Sequence, residues 1–175
     1  MKQKQHFHDK TLSALGSPSY LARRLLNAFA QHYEALFRSS DITYPQWTIL
    51  MLLYTGFGRT AAEMARQMCH DAGAMTRLVD QLEKRGFVAR LRDTADRRIV
   101  NLVLTDQGHA LADTLKSRVV AFLNVALEDF SQEEFATWLR LTSRMITVID
   151  AQPIGAPRSK ATAKAKPKPR KKAAR

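Results

Sequence analysis

The sequence predicts a mainly α-helical chain with one small β-hairpin, and three observations carry that expectation. Apolar residues recur at steps of three and four through most of the first 150 positions, the spacing of one helix face. Three capping boxes mark helix starts: Thr43 with Gln46, Thr60 with Glu63, and Ser131 with Glu134. Between 88 and 104 the apolar period drops to two around a polar loop, the pattern of two strands and their turn.

The elements follow in order. Residues 1–16 are polar and mixed and are expected to form a flexible arm; His6, His8 and Asp9 within it lack a further ligand at metal-binding spacing. Ser17 and Pro18 supply an N-cap and a first-turn proline. Leu21, Leu25, Ala28, His32 and Leu36 then share a line, with Phe29 beside it, so a first helix runs to near Ser39. The box at Thr43, with Pro45 in the first turn, opens a helix through Trp47, Leu50, Met51 and Tyr54 that Gly56 and Gly58 stop. Thr60 opens a short helix over 60–68 whose apolar side reads as Ala62, Ala65 and Met68.

After Cys69 and His70, Asp71 can cap a helix that carries Met75, Leu78, Val79 and Leu82, and Gly86 stands where a left-handed C-cap is wanted. Two short helices joined by a tight turn make a helix-turn-helix. The second helix turns Ala72, Gly73, Thr76, Arg77 and Asp80 away from its apolar stripe, and the small residues at its head let the backbone approach a DNA groove closely. The strands over 88–92 and 99–104 then form a hairpin with Val100, Leu102 and Leu104 on one side. Its loop, 93–98, is expected to bring Arg90, Arg92, Arg97 and Arg98 together, a positive flap beside the helix-turn-helix, that is, a wing. The winged part occupies about 43–104.

Two long helices close the domain. Thr105 begins one marked by Leu111, Leu115, Val119, Phe122 and Ala126; Ser131 caps another through Phe135, Trp138, Leu139, Thr142, Met145 and Ile149. The short gap between them predicts antiparallel packing. With the first helix they show more apolar length than one small winged domain can cover, so the N- and C-terminal helices are expected to form a dimerisation domain within 17–150. A two-fold dimer implies an inverted-repeat DNA site.

Composition sets the limits. The chain is 45% hydrophobic and 25% charged, with a formal charge of +12. Nine Lys and Arg and no acid lie in 151–175, leaving +3 for the first 150 residues. That tail also holds four of the six prolines and little apolar bulk, so it reads as a disordered basic segment whose Lys164, Lys166, Lys168, Arg170, Lys171 and Lys172 suit a run of phosphates. No apolar stretch approaches the roughly 20 residues of a membrane span, and the N-terminus lacks a secretory core, so the expected location is the cytoplasm, away from membranes. The single cysteine forms no internal disulfide and no cysteine-based zinc site. His6, His8, His32, His70 and His109 have no nucleophile, paired carboxylate or glycine loop beside them, so neither an enzyme nor a cofactor site is expected. The alternative within DNA binding is an architectural, nucleoid-type protein dominated by its tail.

The order of elements resembles that of the multiple-antibiotic-resistance repressor, or MarR, family. MTRLVDQLEKRGFV at 75–88 is similar to its recognition-helix signature, and DRRI at 96–99 with LTDQG at 104–108 to its wing and wing exit. The resemblance implies a homodimeric, sequence-specific transcription regulator of double-stranded DNA, acting as a ligand-responsive repressor. It implies that Arg98 enters the minor groove and that Asp96 orients its guanidinium through a salt bridge. The family often has Ser or Thr at the head of the recognition helix, where this chain has Gly73 and Ala74. Thr76 and Arg77 are left as the direct contacts, Arg77 on guanine or on a phosphate. Such regulators release DNA when a small, often phenolic or carboxylic, effector binds between the dimer helices and the winged part. Here that implies His32, Tyr44, Trp47 and Met51. Relatives that sense peroxide place a cysteine near the first helix; Cys69 stands elsewhere and reads as an ordinary small residue.

Overall fold

The computed structural model describes residues 6, 7, 13 and 15–153 and divides into two units, 1–126 and 127–175. His8 and Asp9 of the arm, and the tail from 154 with its six singled-out Lys and Arg, lie outside the described residues. The first unit contains α1 (Pro18–Phe37), a 3-10 turn (Arg38–Ser40), α2 (Tyr44–Tyr54), α3 (Ala61–Gln67), α4 (Ala72–Lys84), β1 (Val88–Arg92), β2 (Val100–Leu104) and α5 (Asp106–Ala126). The second contains α6 (Gln132–Asp150). No described helix is long and apolar enough to cross a membrane.

The capping boxes form as the spacing predicts. Thr43, Thr60 and Ser131 each accept the N–H three residues on, and Gln46, Glu63 and Glu134 each accept the cap residue's own N–H. Each box satisfies two of the donors that a helix start leaves without partners. Gly86 ends α4 at φ +76°, a conformation glycine adopts without Cβ strain.

α2 lies at the centre, against α1, α4, α5 and β2, which is why its apolar residues run round the helix instead of along a stripe. Around it Phe37, Ile49, Leu50, Met64, Met75, Val79, Leu82, Val88 and Leu115 are fully buried. Removing such a side chain from water contributes about 1.5–3 kcal/mol. One polar side chain joins this core: Gln46 accepts the Thr43 N–H at 3.0 Å and donates to Oε1 of Gln81 on α4 at 2.9 Å.

Three readings need correction. On α3 the buried pair is Met64 and Ala65, and Ala62 is exposed, because the helix starts at Ala61 and its inner line runs Ala61, Met64, Ala65, Met68. On α1 the inner line is Tyr33 and Phe37 with Phe29 and Leu36 partly covered, whereas Leu21 and Leu25 of the expected stripe are exposed. The second strand starts at Val100, which is itself exposed; Leu102 and, in part, Leu104 face inward.

β1 and β2 pair antiparallel, with Val88 opposite Leu104 and Arg92 opposite Val100. The Leu102 N–H donates to the Arg59 carbonyl at 2.7 Å, tying the hairpin to the start of the helix-turn-helix. Its exit is fastened at Thr105, whose hydroxyl donates to the Gly86 carbonyl at 2.6 Å and accepts the Gly108 N–H at 3.0 Å. Gly108 is required there: a Cβ on it would lie 2.0 Å from the Phe87 carbonyl oxygen.

Candidate nucleic-acid interface

The Asp71 carboxylate caps α4 by accepting the Ala74 N–H at 2.8 Å. That bond, ahead of a weaker one from Gly73 and the charge of Arg77, holds its carboxyl below the usual range. The first turns of α4 then present Ala72, Gly73, Thr76 and Arg77 to solvent. The Arg77 guanidinium lies over Gly73, 3.7 Å from where a Cβ would stand. Thr76 donates its hydroxyl to the Ala72 carbonyl at 2.8 Å, which leaves its methyl and its acceptor lone pairs facing outward. Asp80 extends this face by a turn.

The hairpin loop is built on its first residue, Asp93. One carboxylate oxygen accepts the N–H groups of Ala95 at 2.8 Å and Asp96 at 3.0 Å, and the other accepts from the Asn101 amide at 3.0 Å. These bonds, Asp96 first, lower its carboxyl from the ordinary range. An aspartate opening a polar loop was the available signal, since Asp side chains close such turns. Arg92, Asp93, Thr94 and Arg97 line a shallow concavity beside it.

Two expected wing contacts differ in the structure. Asp96 accepts the backbone N–H of Arg98 at 2.9 Å, and among the described residues no ion pair joins Asp96 to the Arg98 guanidinium. A carboxylate two residues ahead reaches the peptide N–H more readily than the end of a long side chain. Arg90 turns back from Arg92, Arg97 and Arg98 to α4, where it pairs with Asp80 at 2.5 Å and with Glu83. The hydrogen bond to Asp80, then the two negative charges, raises its already high pKa further.

The residues named for a small molecule lie around one aromatic cluster of α1, α2 and α5. His32 is exposed and stacks on Phe122 with centroids 5.0 Å apart. Tyr44 is half-buried, 5.3 Å from Tyr33, which also meets Phe29 and Phe122. Burial raises both phenols above the usual tyrosine range. Trp47 is buried against Phe37 at 5.3 Å, and Met51 packs on the core. Phe122 joins them from another helix, a partner that spacing along one helix does not reveal.

Cys69 is exposed in the turn between α3 and α4 at φ +53°, a left-handed conformation strained for a residue with a Cβ. Among the described residues no group of three or more His, Cys, Asp or Glu could hold a metal ion.

Comparison with known proteins matches residues 42–100 to the profile of the MarR family. The chain is 36% identical over 85 residues to the HTH-type transcriptional regulator TtmR of Methylorubrum extorquens, a match covering 49% of this chain and 44% of TtmR. It is 31% identical over 104 residues to the HTH-type transcriptional regulator SarZ of Staphylococcus haemolyticus, covering 58% of this chain and 68% of SarZ. The chain thus spans less than half of TtmR and about two thirds of SarZ. Its fold is similar to that of MepR of S. aureus in a crystal structure with DNA, at TM-score 0.68 and 23% identity, covering 78% of this chain and 99% of MepR.

Proposed function

The chain belongs to the MarR family, and from that premise we propose that it is a transcription regulator that binds double-stranded DNA as a homodimer. The observation that carries this is the exposed surface made by the head of α4 and the hairpin. Ala72 and Gly73 leave room for a groove wall, and Thr76 and Arg77 offer a methyl, lone pairs and a fork of donors to base edges. Arg92, Arg97 and Arg98 are exposed on the wing, where arginine suits the negative potential of a narrow minor groove. The MepR chain of similar fold was solved on DNA.

A second copy supplies what the exposed apolar residues lack. Tyr20, Leu21, Leu25 and Leu26 on α1 are exposed, and so are Trp138, Leu139, Ile146 and Ile149 on α6, more apolar area than a solvent face normally carries. Two-fold pairing places the two α4 helices in successive major grooves, so the site is an inverted repeat with half-sites about 10 base pairs apart. The regulator acts as a repressor released by a small aromatic or phenolic effector at the cluster of His32, Tyr44, Trp47 and Met51. That effector works by binding one dimer geometry more tightly than the other. Lys164, Lys166, Lys168, Arg170, Lys171 and Lys172 of the tail add phosphate contacts without sequence preference.

Selection of duplexes from a randomised library, followed by anisotropy titrations and sedimentation, tests the reading. The expected result is a dimer on a two-fold symmetric site, bound at least about a thousand-fold tighter than random duplex. Equal affinity for selected and random duplexes would reassign the protein to architectural DNA binding dominated by its tail.

A further inference from the structure

Building on the reading of α4 and the hairpin as the DNA-binding surface, we propose that Arg90 is a positioning residue that fastens the wing to the recognition helix. Its partners on α4 are Asp80 and Glu83, and the joint sets the angle at which wing and helix meet adjacent grooves. Asp80 and Glu83 stand three apart, so their carboxylates lie on neighbouring turns of one helix side, a spacing that a guanidinium fork can span. One Arg90 terminal nitrogen meets Asp80 Oδ1 at 2.5 Å and the other meets Glu83 Oε2. Arg92, Arg97 and Arg98 have no ion pair among the described residues, so Arg90 is set apart from the other wing arginines.

Charge supports the same role. Asp80 is one turn beyond Thr76 and Arg77 on the exposed face of α4, where a bare carboxylate would oppose an approaching phosphate. Arg90 cancels one of the two negative charges and draws both side chains toward the wing. All three side chains are at least one third exposed, so the pairs contribute little to global stability. Their consequence is geometric: they cross from the last turn and a half of α4 to the middle of β1, a second tie beside the covalent link through Gly86, whose N–H donates to the Glu83 carbonyl and whose carbonyl accepts the Thr105 hydroxyl.

The test uses the full-length protein, duplexes enriched by it from a randomised library, and four variants: Arg90→Gln, Arg90→Lys, Asp80→Asn with Glu83→Gln, and the triple combination. In the free protein, amide exchange across 88–104 should accelerate equally in Arg90→Gln and in the Asp80/Glu83 double variant, with no further gain in the triple variant and partial restoration by Lys. On DNA, Arg90→Gln should reduce the preference for selected over random duplex roughly ten-fold, the size of a coupling between contacting groups. Its salt slope should stay that of the parent, because a lost phosphate contact would flatten the slope by about 0.9 per protomer. Parental wing exchange in Arg90→Gln, or equal weakening on selected and random duplex with a flatter slope, overturns the proposal and makes Arg90 a phosphate ligand. If the parent enriches no duplex, the DNA-binding reading fails, and the exchange measurement alone decides whether Arg90 fastens the wing.

Discussion

Replacing Gly108 by alanine probes the tightest backbone crossing in the fold. The new Cβ would stand 2.0 Å from the Phe87 carbonyl oxygen, 2.9 Å from its carbon and 3.3 Å from Leu104 Cδ2. Non-bonded heavy atoms settle near 3.5 Å, so the start of α5 would have to withdraw by about 1–1.5 Å. The same crossing holds the Thr105 N–H on the Phe87 carbonyl at 3.1 Å and the Thr105 hydroxyl on the Gly86 carbonyl at 2.6 Å. Losing those bonds costs about 1 kcal/mol each, and forced overpacking about 1–3 kcal/mol more. The helix preference of alanine returns about 1 kcal/mol. The net loss is about 3 kcal/mol, which in a chain of this length lowers the melting temperature by about 6–12 °C. Thermal unfolding followed by circular dichroism, at one protein concentration, measures it. Gly73→Ala is the contrast: its Cβ meets side-chain atoms only, Arg77 Nη1 at 3.7 Å and, at 3.2 Å, the Asp71 Oδ1 that caps α4 on the Ala74 N–H. The helix preference of alanine, about 1 kcal/mol, is offset by any shift of that cap, so the variant's melting temperature should stay within about 4 °C of the parent. A Gly108→Ala protein that melts at or above the parent temperature refutes the crossing.

Arg98→Ala should leave the melting temperature unchanged within a degree or so and weaken the selected duplex by about ten-fold or more, read by anisotropy at fixed salt. Acid should destabilise the fold through the carboxylates that accept backbone N–H groups. Glu63, Asp71, Asp93 and Glu134 are all held below their ordinary values of 4.5 for Glu and 3.8 for Asp, so the stability they contribute is complete above about pH 5 and is lost as the pH falls through their lowered values. Melting temperature should decline as the pH falls below about 5, and Glu63→Gln with Asp93→Asn should make that decline shallower. Deleting 151–175, which carries nine positive charges, should weaken selected and random duplex alike and flatten the logarithmic salt dependence by roughly 4 per protomer if half of those charges meet phosphates. An unchanged slope assigns the tail no contact.

What the sequence made legible was local. Thr43 and Gln46, or Asp71 ahead of Ala74, declare helix starts because the bonds involved span only three residues. The hairpin was equally plain, since a change of apolar period and a polar loop need no knowledge of what lies opposite. Burial was less so: α1 shows its apolar stripe at Leu21 and Leu25, but coverage by α2 and α5 selects Tyr33 and Phe37, one line round the helix. Gly108 looked like any helical glycine, because its need arises from the Phe87 carbonyl across a crossing 21 residues away. The wing arginines look alike in sequence; only the third dimension separates Arg90, with two carboxylates beneath it, from Arg97 and Arg98.

That separation extends to how the C-terminal part of α4 is held. Arg90 grips its last turn and a half from the wing at Asp80 and Glu83, Gln46 bonds Gln81 from α2 at 2.9 Å, and just past its end Arg85 donates to the Ser40 carbonyl at 2.7 Å and to the Asp41 carbonyl. The corner between α1 and α2 that receives Arg85 also receives Arg118 of α5, on the Leu36 carbonyl at 3.2 Å and the Ser39 hydroxyl at 2.9 Å. A helix end leaves carbonyls without partners, and here two arginines from different elements satisfy them. The end of α4 and the middle of α5 therefore hang on one turn of backbone, the turn that follows the aromatic positions of α1. Displacing that corner while α4 stays in place breaks charged hydrogen bonds that contribute about 1.5–3 kcal/mol. If, as proposed, an effector binds at His32, Tyr44, Trp47 and Met51 and favours a shifted α1, it must either move α4 with it or bind the shifted state more tightly by that amount, a factor of about 10–150. The first route spares the Arg85 bonds but strains the Gln46–Gln81 bond unless α2 moves as well, so α1, α2 and α4 would have to shift together.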